Sequence, residues 1–270
     1  MHPIVNIKTR SIVITGSTRG IGYSLAAAFL ERDCAVTISG RTQEAVSEAE
    51  EKLGEKYRKE LIFGFPCDVT DFIQVQKLWE DAKSHFGRID IWINNAGIAT
   101  PMMKFWELSP DKYDEVVKTN IIGTMYGTKV ALTGLLAQGN GALYNVEGFG
   151  ARGRSMGGMT LYGSTKASVH FINRSLINET EGTQVITGAI APGMVITDMI
   201  TQQFEGRMEE LEKSKRILNI IAERAETVAP VLVEKILKNR KNGVTIAYSS
   251  PAGLMLKFLT APFKKRDLFS

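Results

Sequence analysis

Seven short apolar runs alternate along this chain with stretches of helical length, and that alternation leaves few folds open. The runs are Ile12 to Ile14, Ala35 to Ile38, Leu61 to Phe65, Asp90 to Ile93, Ala142 to Val146, Gln184 to Ile190 and Val244 to Tyr248. Helical patterns fill most gaps between them: Ile21 to Arg32, Thr42 to Lys59, Asp71 to Phe86, Asp111 to Ala137, Thr160 to Glu181 and Ala225 to Lys238. Nearly continuous apolar strands separated by helices build a parallel sheet covered on both faces. Right-handed crossovers make that sheet doubly wound, so an α/β fold of seven strands is expected. In the third helix, Ile73, Val75, Leu78 and Trp79 are expected to supply the inner face.

No repeat, low-complexity tract or Pro/Ser-rich linker divides the 270 residues, so a single domain, 1–270, is expected. Residues 198–224 break the strand–helix rhythm and read as a lid inserted where ligands approach such sheets. Residues 249–270 form an apolar tail: Leu254, Met255, Leu256, Phe258, Leu259, Pro262 and Phe263, then Lys264, Lys265 and Arg266. Packing over a pocket or at a subunit interface is favoured for it over membrane contact, because three cations anchor a surface helix weakly.

A net charge of +4, with both signs interspersed, argues against nucleic acid as a partner. Cys34 and Cys67 lie at opposite ends of two strands; as parallel neighbours their sulfurs would stand roughly 16 Å apart. Free buried thiols in a reducing compartment follow. With only His2, His85 and His170, neither a histidine triad nor a zinc site is expected, and no metal is implied. The segment Met1 to Arg10 does not read as a signal peptide, and no apolar stretch is long enough to span a bilayer, so a cytoplasmic protein is expected.

The turn Thr15-Gly16-Ser17-Thr18-Arg19-Gly20-Ile21-Gly22 joins the first strand to the first helix. Glycines there let the backbone approach a pyrophosphate seated on the helix N-terminus, as in Rossmann-like folds. The Gly-x-x-x-Gly-x-Gly spacing resembles that of the short-chain dehydrogenase/reductase family. Asn94-Asn95-Ala96-Gly97, Asp68 with Val69, Asn120, Tyr162-Gly163-Ser164-Thr165-Lys166 and Pro192-Gly193-Met194-Val195-Ile196-Thr197 follow in the family's order. The resemblance covers Ser11 to about Tyr248. It implies that Gly16, Ser17, Thr18, Arg19, Gly20, Ile21, Gly22, Asp68, Val69, Asn94, Ala96, Gly97, Pro192, Gly193, Val195 and Thr197 bind the cofactor. Asp68 would contact its adenine and Lys166 its nicotinamide ribose hydroxyls, while Asn120 would hold a water that relays protons to the lysine.

Tyr162 and Lys166 are four residues apart on a helix and share a face. An ammonium beside a phenol favours the phenolate, so the pair is expected to bring the tyrosine below its usual value near 10 and to act as an acid/base for carbonyl–alcohol exchange. After the second strand the chain reads Ser39-Gly40-Arg41-Thr42. A carboxylate would hold the ribose 2′-hydroxyl of NAD; none is present, and Arg41, with Arg19, suits a 2′-phosphate instead. NADP(H) is the expected cofactor.

One departure stands out. The family's substrate-binding serine falls at Gly148 when the fifth strand is aligned, or at Phe149 when counted back from Tyr162, and neither carries a hydroxyl. Ser155 and Thr160 lie later in the loop, and Glu147 is a candidate substitute. Asn145-Val146-Glu147-Gly148-Phe149-Gly150 and the tail Ala261 to Arg266 resemble the chlorophyll(ide) b reductase branch of the family, which reduces a ring formyl group with NADPH. A bulky apolar substrate also fits Met156, Met159, Met194 and Met199 in the segments expected around the pocket. The reading is an NADPH-dependent reductase with Tyr162 as proton donor. Its rival is a catalytically weak NADP-binding sensor or partner subunit, which Gly148 favours. The helix Asp111 to Ala137 is apolar over a wide arc, and with the family resemblance this implies a homodimer or homotetramer.

Overall fold

The computed structural model describes residues 9–204, 208–261 and 266–269. Seven strands form one parallel sheet in the order β3-β2-β1-β4-β5-β6-β9. They are β1 (Ser11–Ile14), β2 (Ala35–Gly40), β3 (Ile62–Pro66), β4 (Ile91–Asn94), β5 (Gly141–Val146), β6 (Val185–Ala191) and β9 (Thr245–Ala247). A second, two-stranded parallel sheet pairs β7 (Val195–Ile196) with β8 (Glu223–Arg224). The expected doubly wound α/β fold is the one observed. Strand order reverses between β1 and β4, which pair Ile12 with Ile91 and Ile14 with Ile93. The carboxyl ends of these two strands therefore open the crevice in which such sheets bind ligands.

The helices are α1 (Gly20–Leu30), α2 (Gln43–Gly54), α3 (Phe72–Phe86), α4 (Pro110–Val117), α5 (Thr124–Gln138), α6 (Thr160–Glu179), α7 (Asp198–Gln203), α8 (Met208–Ile221), α9 (Ala225–Lys238) and α10 (Pro251–Thr260). One core packs α1 and α9 on the sheet through Leu25, Phe29, Val228, Leu232 and Val233. The other places Val75, Leu78 and Trp79 of α3 and Val130 and Leu135 of α5 on the opposite face. Val75, Leu78, Trp79 and Ala82 fall on one helical stripe and are buried, whereas Ile73 is 56 % exposed. Ile73 was expected on the inner face. It lies two residues before Val75, about 200° around the helix, in the turn capped by the Asp71 carboxylate. The Thr42 to Lys59 pattern also stops short: α2 ends at Gly54, and a 3₁₀ turn, Lys59–Leu61, leads into β3. The Asp111 to Ala137 pattern is α4 and α5 joined by a π-helical turn, Lys118–Gly123.

Both cysteines are free and buried, and burial pushes their thiols up, to about 11 for Cys34 and about 12 for Cys67. Among the described residues no helix is long and apolar enough to cross a membrane.

The tail forms α10, whose Ser250 cap accepts from the Gly253 amide. It packs against α8 with its polar side inward: Lys257 Nζ lies 2.7 Å from Glu223 Oε1, and Arg266 bonds the same carboxylate. Met255, Leu256, Phe258 and Leu259 point to solvent. The side chain of Leu254 and residues Pro262 to Lys265, which complete the expected tail, lie outside the described residues, as do Met1 to Lys8.

Packing of α5 on α3 depends on Gly134, where a Cβ would stand 2.0 Å from the Trp79 ring. Gly134→Ala is expected to destabilise the protein by about 1–3 kcal/mol, read as a lower midpoint in urea unfolding.

Candidate active site

The glycine turn is built by close backbone approach. Gly16 and Gly20 have φ of +61° and +59°. A Cβ on Gly16 would lie 2.7 Å from Ala96 Cα, and one on Gly22 2.4 Å from Asn95 Nδ2. Asn95 braces the turn, donating from Nδ2 to the carbonyls of Thr15 and Gly16 at 2.9 and 2.8 Å, while Thr15 Oγ1 accepts from the amides of Asn95 and Ala96. No side chain caps the N-terminus of α1, so its positive end faces the crevice with backbone donors for an anion. This cradle, which a side chain would fill, fits a dinucleotide pyrophosphate.

Three side chains of the expected set turn elsewhere. Ser17 Oγ donates to Ile14 O and accepts from Ser39 N, tying β1 to β2. Asn94 is buried, accepting from Trp92 Nε1 and donating to Thr128 and Asn145. It is Asn95 that touches the turn. Val69 packs in the core against Gly123. Of the others, Asp68 Oδ1 accepts from Thr70, Thr197 approaches Gly20, and Gly193 has a φ of +78°. Gly40 lies against Thr18, since a Cβ there would meet Thr18 Cγ2 at 2.6 Å. The exposed Arg41 thus follows directly beside the turn. Arg19, also exposed, lies 3.8 Å from Asp198 of α7. Pro192 and Val195 follow β6, and Ile21 lies in the first turn of α1.

On α6, Tyr162 and Lys166 share the inner face, 8 % and 6 % exposed. Lys166 Nζ sits 5.8 Å from the Tyr162 ring centroid and donates to Val146 O at 3.2 Å. Gly97 keeps the space in front of them open: a Cβ there would stand 3.2 Å from Asn120 Oδ1 and 3.6 Å from Lys166 Nζ. Asn120 lies in the π-helical turn, a feature common at functional sites. Its Oδ1 accepts from Ile98 N, and Nδ2 donates to Ile98 O and Thr165 Oγ1. Both amide protons are engaged within the chain, so the side chain ties Ile98, in the loop after β4, to Thr165 of α6.

Burial governs the protonation of the pair. It pushes Tyr162 up to about 12, and it pulls Lys166 down to about 8 against the opposing charge of Glu147. A tyrosine below 10 was expected from its ammonium neighbour; instead the shift is upward, set by desolvation of the buried phenol. Gly148 sits against the same phenol, and a Cβ there would stand 2.5 Å from the Tyr162 hydroxyl. Glu147 does not stand in for the missing serine. Its carboxylate faces His170 Nδ1 at 2.7 Å and Arg152 Nε at 3.3 Å, in a separate cleft of about 640 Å³. His170, Asn173 and Arg152 were not anticipated, although Tyr162, Lys166 and His170 repeat at four-residue steps along one helix stripe.

The segment 198–224 holds α7, α8 and β8 beside the crevice. Phe204, Leu211 and Leu218 form a separate apolar cluster with Met102, Met194 and Ile200. The Met102 amide donates to Gln203 O, joining this cluster to the loop after β4. Of the methionines expected around a pocket, Met194 belongs to the cluster, Met159 is buried apart from it, Met199 is partly buried and Met156 is half exposed.

Residues 10–208 match the short chain dehydrogenase family. The chain is 34 % identical over 268 residues to the probable chlorophyll(ide) b reductase NYC1, chloroplastic, of Oryza sativa subsp. japonica, covering 93 % of this chain and 52 % of that one. It is 37 % identical over 231 residues to the chlorophyll(ide) b reductase NOL, chloroplastic, of Arabidopsis thaliana, covering 84 % and 65 %. The chain thus spans between half and two thirds of these relatives. Among solved structures, ElxO with NADP bound superposes with a TM-score of 0.76 at 27 % identity, covering 89 % of this chain and 98 % of that one. The closed form of serine dehydrogenase complexed with NADP+ gives 0.77 at 25 % identity, covering 90 % and 97 %. With the glycine turn, the Tyr–Lys pair and the sheet order in place, the chain belongs to the short-chain dehydrogenase family.

Proposed function

We propose that the protein is an NADPH-dependent reductase of a bulky, apolar carbonyl compound, with Tyr162 as the proton donor. The observation that carries the reading is the Tyr162–Lys166 pair at the end of β5, opening onto the same crevice as the glycine turn. Gly16, Gly20, Gly22 and the α1 N-terminus would hold the pyrophosphate, Arg41 with Arg19 the 2′-phosphate, and Lys166 the nicotinamide ribose hydroxyls. NADPH, when bound, supplies the hydride equivalent that a carbonyl carbon takes up. The phenol of Tyr162 gives its proton to the carbonyl oxygen as charge develops there, and Lys166 as ammonium stabilises the phenolate left behind. Burial raises the proton affinity of the Tyr162 phenol, which holds its proton at neutral pH as a donor must. Lys166 keeps its ammonium below about 8 and loses it as the pH rises through that value.

The relatives named chlorophyll(ide) b reductase support a ring formyl group as the carbonyl. The apolar cluster over the crevice supports a lid, 198–224, for an apolar substrate. Exposed Met125 and Leu136 on α5 and Phe171 on α6 support a homodimer or homotetramer built through these helices. The cytoplasmic placement belongs to the same reading, supported by the free buried cysteines. Gly148 supports the second reading, a cofactor-binding subunit with little turnover.

Two expected outcomes test this. NADPH should bind more tightly than NADH in fluorescence titrations, and Arg41→Ala should narrow the gap by about tenfold or more; equal affinities in the unaltered protein would contradict the cofactor choice. Consumption of NADPH with chlorophyll(ide) b and a panel of apolar aldehydes and ketones should fall by about 10²–10⁴-fold in Tyr162→Phe, with NADPH affinity preserved. Binding of NADPH without turnover on any carbonyl would favour the second reading.

A further inference from the structure

Just past β5, Glu147 opens into a cleft of about 640 Å³ that neither Tyr162 nor Lys166 lines. That volume lies within the range of small-molecule sites, roughly 300–1,000 Å³. The wall carries Glu147, Arg152, His170 and Arg174. Both oxygens of the Glu147 carboxylate are engaged, one facing His170 Nδ1 at 2.7 Å and the other accepting from Arg152 Nε at 3.3 Å. Arg152 is held at a second point, donating from Nη2 to Thr245 Oγ1 at 2.8 Å. Arg174 is exposed at the cleft and has no hydrogen-bond or ion-pair partner among the described residues. Two arginines against one carboxylate leave this wall with surplus positive charge.

Asn173 supplies a second, independent observation. It lines the same cleft and is 5 % exposed. Its Oδ1 accepts from Asn145 Nδ2 at 2.7 Å, and Asn145 is buried on β5 away from the cleft. The donor of the same amide, Nδ2, is buried and has no acceptor among the described residues. A buried amide donor left unpaired is costly and rare in folded proteins. The groups still free in the cleft are therefore donors, and its acceptor is already taken.

We propose that this cleft binds a small oxyanion, a carboxylate or a phosphate, between Arg174, the Asn173 amide and the tethered Arg152. The guanidinium fork of Arg174 matches two oxygens of such a group, and Asn173 Nδ2 donates to one of them. Arg152 counters the Glu147 charge, so the incoming anion meets the charge of Arg174 without a competing carboxylate. A cation finds no free acceptor side chain among the charged groups of the wall. The site is a property of the fold and does not depend on the reaction proposed for Tyr162.

The test follows the His170 ring resonances in ¹³C-histidine-labelled full-length protein, assigned with His170→Gln. Inorganic phosphate is added in one arm and succinate in the other, at fixed pH and with sodium chloride holding the ionic strength constant. The His170 shift should saturate in the millimolar range in at least one arm, and the arm that saturates at lower concentration identifies the source of the oxyanion. Arg174→Met should weaken that apparent affinity by about tenfold or more. Asn173→Asp, which replaces the donor with a like charge, should abolish saturation. Arg58→Met, which removes an exposed arginine paired with Glu60 outside the cleft, should leave the affinity unchanged. Because Arg174 is exposed, its variant decides the question by itself if Asn173→Asp does not fold. No saturation in either arm would overturn the proposal, as would equal affinity in Arg174→Met and the unaltered protein. The readout needs neither substrate nor cofactor, so failure of the proposed reaction and failure of this site are separate results.

Discussion

The contact between Gly148 and the Tyr162 phenol is the constraint on which the site depends. A bare Cα two residues past the end of β5 lets the Tyr162 hydroxyl settle against the chain there, and the phenol is buried. Covering it raises its proton affinity, and covering Lys166 beside it lowers that of the amine. Burial drives the two groups apart in acidity, so that below about 8 one pocket holds a neutral phenol as proton donor beside an ammonium. The neighbouring Glu147 points its carboxylate to Arg152 and His170.

Much of this was legible in the sequence because it rests on local rules. β-branched runs before helical periods specify the parallel strands, and the glycine spacing marks the turn at the point where strand order reverses. Tyr162 and Lys166 share a face because they are four apart on a helix. The misses come from tertiary effects. Ile73 follows the composition of an inner face but lies two residues before the buried stripe, on the opposite side. Asn94 and Asn95 are indistinguishable by type, and only the end of β4 decides that Asn94 enters the buried network while Asn95 braces the turn. The direction of the Tyr162 shift was missed because sequence spacing reveals the ammonium but not the depth of burial.

In the tail, Lys257 and Arg266 turn inward to meet Glu223 on β8. Helical geometry then sends Met255, Leu256, Phe258 and Leu259 outward. A buried-side ion pair, rather than the apolar stripe, orients this helix on α8. That arrangement also ties the tail to the β7–β8 ribbon that bounds the segment above the crevice.

Burial in this fold keeps Tyr162 protonated, ready to donate to a carbonyl oxygen. The most direct measurement is the titration of the Tyr162 Cζ resonance in ¹³C-tyrosine-labelled, cofactor-free protein, with Tyr162→Phe for assignment. The phenol is expected to stay protonated past pH 10, the ordinary tyrosine value, with a midpoint of about 12. A resonance that titrates below pH 10 would contradict it, because the ammonium of Lys166 would then govern the phenol and the site would be set to take a proton from an alcohol.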